Sequence, residues 1–186
     1  MRLPVLRLPV EGFALRSLLG PAGLALALFL GACSSTDNLG EQPAFYTNLA
    51  RSGTPVDAEA AASMLSDYRT ARGLPAVTLD PQLTRMAQDQ ANAMAKADKL
   101  SHEVGGRNFI TRMKASGYDA KAAVENVGAG YHTLAEAFSG WRDSPSHNKN
   151  MLAPGMTRMG IATAFAPRSK YKVYWALVLA EPANPQ

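Results

Sequence analysis

The chain has 186 residues, with 19 lysines and arginines against 15 acidic residues, one cysteine and a formal charge of +4. Its length predicts a single domain, and 47% hydrophobic residues are typical of a globular protein rather than a disordered chain. The single cysteine excludes an intramolecular disulfide and any zinc site built from clustered cysteines. Lysine and arginine form no cluster of the kind that nucleic-acid-binding proteins carry, so we expect no nucleic-acid partner.

The first 32 residues have the pattern of a secretory signal peptide. Three arginines precede an uncharged stretch, residues 17–32, which is shorter than the roughly 20 residues of a membrane-spanning helix. The stretch leads into the letters LGAC at positions 30–33, which resemble a bacterial lipobox, where small residues precede a cysteine that accepts lipid. We therefore expect residues 1–32 to be removed and Cys33 to be lipidated. The alternative is a secreted protein with a free cysteine.

Lipid on Cys33 predicts a protein held at a membrane of the cell envelope, because acyl chains contribute about 0.8 kcal/mol per buried methylene. Ser34 favours the outer membrane if the host is Gram-negative, with the domain facing the periplasm or the surface. Removal of residues 1–32 takes away three arginines and one glutamate, which leaves 154 residues with a net charge of +2. Residues 33–55 are rich in Ser, Thr, Asn, Gly and Pro, so we interpret them as a flexible, lipidated tether before a domain at 56–186.

Apolar residues at helical spacing, together with signals for helix ends, predict four helices in the domain. Asp80 has the position of an N-cap before Pro81, and Thr133 with Glu136 has the form of a capping box. Pro145 is interpreted as the end of the last helix, because proline lacks the backbone N–H that a helix interior needs. The four predicted helices cover residues 57–72, 81–99, 108–116 and 133–144.

Towards the C-terminus the pattern changes to two strands that are apolar on both faces, at residues 159–166 and 171–180. The four residues between them, 167–170, predict the turn of a hairpin. Strands that are apolar on both faces predict a sheet covered on both sides. Helices followed by such a hairpin favour an α/β protein with the layers of an α/β/α sandwich.

Two of the three histidines, His102 and His147, are predicted to follow helix ends in polar segments, and Glu125 lies between them in the chain. Two imidazoles and a carboxylate could hold a divalent ion, zinc above all, or form a hydrogen-bonded acid–base cluster without metal. The alternative is that each histidine only caps a helix C-terminus, where a positive charge is favourable. The sequence has no HExxH motif, no Gly-x-Ser-x-Gly elbow and no Walker sequence, so no catalytic residue is assigned.

Four short segments carry the informative residues of the domain: SH at 101–102, ENV at 125–127, WRDSPSHNKNML at 141–152 and GIA at 160–162. Their order and spacing resemble bacterial members of the CAP superfamily, the SCP-like domains related to cysteine-rich secretory proteins, antigen 5 and plant pathogenesis-related proteins. The resemblance implies secretion and a three-layer sandwich in which a small, mainly antiparallel sheet lies between helices. It also implies a cleft lined by two histidines and two acidic residues. His102, Glu125 and His147 match three of those positions, whereas Ser144 stands where eukaryotic members carry a glutamate.

These features predict an envelope-anchored lipoprotein that acts as a binding module rather than as an enzyme. Its cleft is expected to hold a divalent metal such as zinc, and its surface to bind an envelope lipid, glycan or protein. A first alternative is a metal-assisted hydrolase of peptide or peptidoglycan bonds, in which zinc lowers the pKa of bound water to about 7. A second alternative is that His102, Glu125 and His147 are purely structural and only fix the positions of the helices.

Overall fold

The structure of the protein is a computed structural model, and it describes residues 42–52 and 54–184. The predicted signal peptide at 1–32, the lipidation site Cys33 and the first part of the predicted tether lie outside the described residues. None of the helices within the described ranges is both long enough and apolar enough to cross a membrane.

The main helices begin where a short polar side chain accepts a hydrogen bond from a free backbone N–H. Asp57, Asp80, Asn108 and Thr133 do so at the starts of the second to fifth helices, and such N-caps contribute about 1 kcal/mol each. The four predicted helices are confirmed, and the structure adds a first and a last helix that no sequence pattern indicated. The helices are α1 (Leu49–Ser52), α2 (Ala58–Thr70), α3 (Pro81–Ala97), α4 (Phe109–Ser116), α5 (Leu134–Asp143) and α6 (Pro145–Met151).

A single sheet of four strands runs through the described part of the chain. The strands are β1 (Thr78–Leu79), β2 (Ala120–Ala129), β3 (Arg158–Ala166) and β4 (Lys172–Pro182), and they lie in the order β1-β3-β4-β2. Strands β3 and β4 form the predicted antiparallel hairpin, and β2 pairs antiparallel with the other side of β4. Only β1 runs parallel to its neighbour, β3. The sheet is therefore small and mainly antiparallel, and β2 is one of its edges.

Helices cover both faces of the sheet, which confirms the predicted three-layer sandwich. Met159 and Trp175 belong to a core shared with α2, α5 and α6, which we call the α5-side core. Ala162 and Tyr174 belong to a second core shared with α3 and α4, the α3-side core. Strands β3 and β4 are thus buried on both faces, as their continuous apolar sequence predicts.

Small residues of the hairpin allow α3 to lie directly on the sheet. A Cβ atom added to Gly160 would come within 2.1 Å of the carbonyl carbon of Leu83, at the start of α3. Ala162 and Ala176 belong to the same α3-side core. The absence of a side chain at Gly160 therefore sets the distance between the first turn of α3 and β3.

The packed domain begins earlier than the boundary predicted at residue 56. Part of the predicted tether forms a 3₁₀ turn (Ala44–Tyr46) and α1, and Leu49 is only 3% exposed in the α5-side core. The backbone N–H of Leu49 donates to the carbonyl of His132 at 2.8 Å, just before α5. A four-residue helix is too short to show helical periodicity, which explains why the sequence pattern did not indicate it.

Arg69 connects α2 to the segment between α6 and β3. Its side chain is fully buried, and its guanidinium donates only to backbone carbonyls, at distances of 2.8–3.0 Å. The acceptors are the carbonyls of Pro75, Met151, Ala153 and Met156. Burial lowers the pKa of this guanidinium. Arg69 therefore fixes the loop that follows α6 and, with it, the position of α6 itself.

Candidate functional site

The predicted site residues come from three different elements beside the edge strand β2. Glu125 lies in β2, His102 lies in the loop between α3 and α4, and His147 lies in α6. The position of His147 corrects the sequence interpretation, which placed it in a polar segment after the end of a helix. Helix α5 does end before Pro145, but Pro145 then opens α6, because proline is well suited to the first turn of a helix.

The buried carboxylate of Glu125 is the centre of the site. Its side chain is only 1% exposed, and Oε1 lies 2.9 Å from Nδ1 of His102. Nη2 of Arg112, in α4, donates to both carboxylate oxygens, at 2.9 Å to Oε1 and 2.7 Å to Oε2. An ion pair that is buried to this degree strongly disfavours the loss of either partner. The negative charge of Glu125 is therefore neutralised within the protein.

Arg112 is a site residue that the sequence pattern did not indicate. Its side chain is 11% exposed, and the guanidinium lies 5.6 Å from the centre of the Phe109 ring. Nη2 also donates to the backbone carbonyl of His102 at 3.2 Å, so the same group holds the histidine loop and the carboxylate. The sequence does place Arg112 directly before Met113, an apolar residue of a short predicted helix that packs in the α3-side core. An arginine next to a core residue was the available signal.

Hydrogen bonds fix the backbone of the loop that carries His102, whereas its side chain is 53% exposed. Gln90, which is buried in α3, donates to the carbonyl of Ser101 at 2.7 Å. The hydroxyl of Ser101 accepts from the backbone N–H of Glu103 at 3.0 Å. These bonds fix the backbone of the loop, so the exposed edge of the His102 ring is presented in a defined position.

His147 pairs with Ser144 rather than with Glu125. Nδ1 of His147 lies 2.9 Å from the hydroxyl oxygen of Ser144, which precedes α6 and makes no capping bond to its backbone. Burial, and secondarily the charge of the nearby His102, lowers the pKa of His147 below its usual value. The imidazole of His147 is therefore neutral at pH 7.

Two asparagines join α6 to the edge of the sheet. The side-chain amide of Asn150 donates to the backbone carbonyl of Glu125 and to the side-chain oxygen of Asn126, both at 3.0 Å. The amide of Asn126 donates to the carbonyl of His147, also at 3.0 Å. These bonds satisfy polar groups beside the edge strand and fix His147 relative to β2.

Glu125 and Asn126 are neighbours in the chain and point to opposite faces of β2. Glu125 shares its strand face with Ala123 and Val127, which pack in the α3-side core, and it contacts α4. The next residue, Asn126, points to the other face, where it contacts α6. Alternate residues of a strand point to opposite faces of a sheet. The structure therefore brings His102 together with Glu125, whereas the backbone carbonyl of His147 bonds to Asn126 on the opposite face of β2.

These residues do not fit the predicted divalent-metal site. Within the described ranges, no three His, Cys, Asp or Glu side chains are grouped closely enough to hold an ion. Both oxygens of Glu125 already accept hydrogen bonds from Arg112. A catalytic zinc ion needs three protein ligands. The arrangement therefore offers no support for the metal-assisted hydrolase considered above.

A family model described as the cysteine-rich secretory protein (CAP) family matches residues 62–179. This segment includes every residue of the site described above. The YkwD protein of Bacillus subtilis strain 168, described as uncharacterized, is 30% identical over 95 residues, which make up 50% of this chain and 37% of the relative. The match thus spans little more than a third of that relative's length.

Solved structures show the same fold at low sequence identity. An extracellular protein of Bacillus anthracis that contains an SCP domain has a TM-score of 0.57 and 20% identity, over 66% of this chain and 39% of its own. An outer surface protein of Borrelia burgdorferi has a TM-score of 0.62 and 16% identity, over 68% of this chain and 92% of its own. At these identities the similarity concerns the fold alone.

Proposed function

The chain belongs to the cysteine-rich secretory protein (CAP) family, and we propose that it is a binding module of the cell envelope, held there by lipid on Cys33. The lipobox-like letters LGAC at 30–33 support the anchor. Two structural neighbours are described as an extracellular protein and an outer surface protein, which supports an extracellular or envelope location. The outer membrane remains the predicted membrane if the host is Gram-negative.

The binding role is supported by two features of the cleft. Its carboxylate, Glu125, is enclosed, and its other hydrogen-bonding groups are accessible to a ligand. Glu125 is enclosed by Arg112 and His102, and both of its carboxylate oxygens already accept hydrogen bonds. The accessible groups are the half-exposed ring of His102 and the paired side chains of His147 and Ser144. Imidazole nitrogens and hydroxyls bond well to the hydroxyl and amide groups of an uncharged ligand. Among envelope ligands, a glycan has this chemistry.

The anchor is tested by metabolic labelling with radioactive palmitate in a bacterial host. We expect label in the full chain and none in Cys33→Ser, because the thiol is the attachment point. Ser34→Ala, which changes the neighbouring residue and keeps the thiol, is the matched control and should be labelled. Equal label in the full chain and in Cys33→Ser would contradict the anchor.

The ligand is tested by calorimetric titration of the lipid-free Cys33→Ser chain with soluble peptidoglycan fragments. His102→Ala and His147→Ala should each weaken binding at least tenfold, and His132→Ala, which changes the histidine outside the cleft, should leave it unchanged. Binding that is absent, or equal in all four proteins, would contradict glycan recognition by the cleft. If the two cleft variants only lower the melting temperature, the purely structural alternative is favoured instead.

A further inference from the structure

We infer that the guanidinium of Arg112 is the built-in cation of this cleft and keeps Glu125 from binding a divalent metal ion. The inference does not depend on the lipid anchor or on the identity of an envelope ligand. It predicts that the cleft works without metal, in contrast to the metal site expected from the sequence.

The first support is that the carboxylate is already occupied. Nη2 of Arg112 lies 2.9 Å and 2.7 Å from the two oxygens of Glu125, and Nδ1 of His102 lies 2.9 Å from Oε1. A zinc ion would have to approach a carboxylate oxygen to about 2.0–2.2 Å. At Oε1 its approach would have to displace the guanidinium or the imidazole, and at Oε2 it would meet the positive charge of the guanidinium 2.7 Å away.

The second support is that Arg112 has no other carboxylate to pair with among the described residues. Its side chain is 11% exposed, and the Nε and Nη1 atoms are buried with no acceptor within the described ranges. Displacement from Glu125 would leave a buried positive charge without its counterion, which is strongly unfavourable. If the guanidinium stayed in place, it would repel an incoming divalent cation.

The third support is the number of ligands that remain. Without Glu125, the predicted site residues leave only the imidazoles of His102 and His147 as ligands. Two imidazoles are fewer than the three protein ligands of a catalytic zinc site. By pairing with Glu125, Arg112 thus occupies the one potential ligand whose negative charge would attract a cation.

The experiment is a calorimetric titration of the folded, full-length Cys33→Ser chain with zinc chloride at neutral pH. The Cys33→Ser background removes the only thiol of the chain, which would otherwise bind zinc. We expect no stoichiometric binding in this parent. Arg112→Ala should bind zinc at least tenfold more tightly than the parent, through His102 and Glu125, and Arg112→Ala combined with Glu125→Gln should lose that gain.

Arg107→Ala is the matched control, because it removes an exposed arginine five residues earlier and keeps the Arg112–Glu125 pair. It should behave as the parent does. If Arg112→Ala does not fold, Arg112→Gln removes the charge, keeps a hydrogen-bond donor and should show the same gain. Zinc binding by the parent that Glu125→Gln abolishes overturns the inference, whatever the variants do. A folded Arg112 variant that gains no affinity also overturns it.

Discussion

The hydroxyl of Ser144 lies 2.9 Å from Nδ1 of His147. A serine just before a helix commonly bonds to a free backbone N–H of the first turn, whereas Ser144 bonds to this imidazole instead. This bond couples the orientation of the imidazole to the first turn of α6. Burial, together with the charge of His102, lowers the pKa of His147. The folded protein therefore binds a proton at His147 less readily than the unfolded chain does.

This difference predicts that protonation of His147 destabilises the fold. Because the folded pKa lies below the unfolded value of about 6.5, the stabilising contribution is complete above that value and is lost as the pH falls through the folded pKa. In urea unfolding of the Cys33→Ser chain, the free energy of unfolding should fall between about pH 7.5 and pH 5. His147→Gln should show a smaller fall, whereas His132→Gln should match the parent. An equal fall in the parent and His147→Gln would contradict the prediction.

Substitution of Arg69 is expected to lower the free energy of unfolding more than most other substitutions in the fold. Lysine has a single ammonium group and cannot reach the four carbonyls to which Arg69 donates. Since a buried acceptor without a partner costs about 1–3 kcal/mol, Arg69→Lys should lower the free energy of unfolding by about 3 kcal/mol or more. Urea unfolding measures this loss. Arg72→Lys, in the exposed turn that follows the helix, should cost about 0.5 kcal/mol or less, and a similar cost at Arg69 would be inconsistent with its proposed role.

The sequence was most informative where a local signal decides the structure. Asp80 and Thr133 marked helix starts because a side chain close in the chain satisfies the free N–H groups. The hairpin β3–β4 was also visible, because both of its faces are buried and its apolar run is unbroken. The cleft position of His102 beside Glu125 came from family resemblance, since nothing local relates residues 23 positions apart.

The features that the sequence did not reveal depend on contacts between distant segments. Strand β2 is rich in alanine and carries Glu125 and Asn126 side by side, so it shows neither alternation nor a continuous apolar run. Helix α6 was missed because a proline was interpreted only as a stop signal. The pairing of Arg112 with Glu125 depends on packing α4 beside β2, which no spacing in the chain encodes.

The pKa of the Asp98 carboxylate is predicted to depend on the hydroxyl of Tyr174, in β4. The carboxylate accepts from the hydroxyls of Ser169 and Tyr174, both at 2.5 Å, and these bonds, that of Ser169 first, lower the pKa of Asp98. Tyr174→Phe removes one donor, so the pKa of Asp98 should rise towards its usual value of about 3.9. An NMR titration of the carboxyl carbon measures the change. Tyr171→Phe, which alters a neighbouring ring that contacts Tyr174 only through its edge, should leave that pKa unchanged.

The consequence for acid stability follows from the same shift. A carboxyl group whose folded pKa is depressed contributes stability above its unfolded pKa, and this contribution is lost as the pH falls through the folded value. Tyr174→Phe should therefore lose less stability than the parent when the pH is lowered below about 4. An unchanged acid dependence, or an unchanged pKa of Asp98, would show that the tyrosine hydroxyl does not stabilise the carboxylate.

The contact of α3 with the sheet is expected to tolerate no side chain at Gly160. An alanine there would place its Cβ 2.1 Å from the backbone of Leu83, and a helix backbone cannot give way as a flexible side chain can. Overpacking of a core costs about 1–3 kcal/mol, and we expect Gly160→Ala to reach the upper end of that range, measured by urea unfolding. Gly128→Ala is the matched control, because its Cβ would meet the ring edge of Tyr131 at 3.0 Å, a side chain that can move. Equal losses in the two variants would mean that α3 can shift away from β3 at little cost.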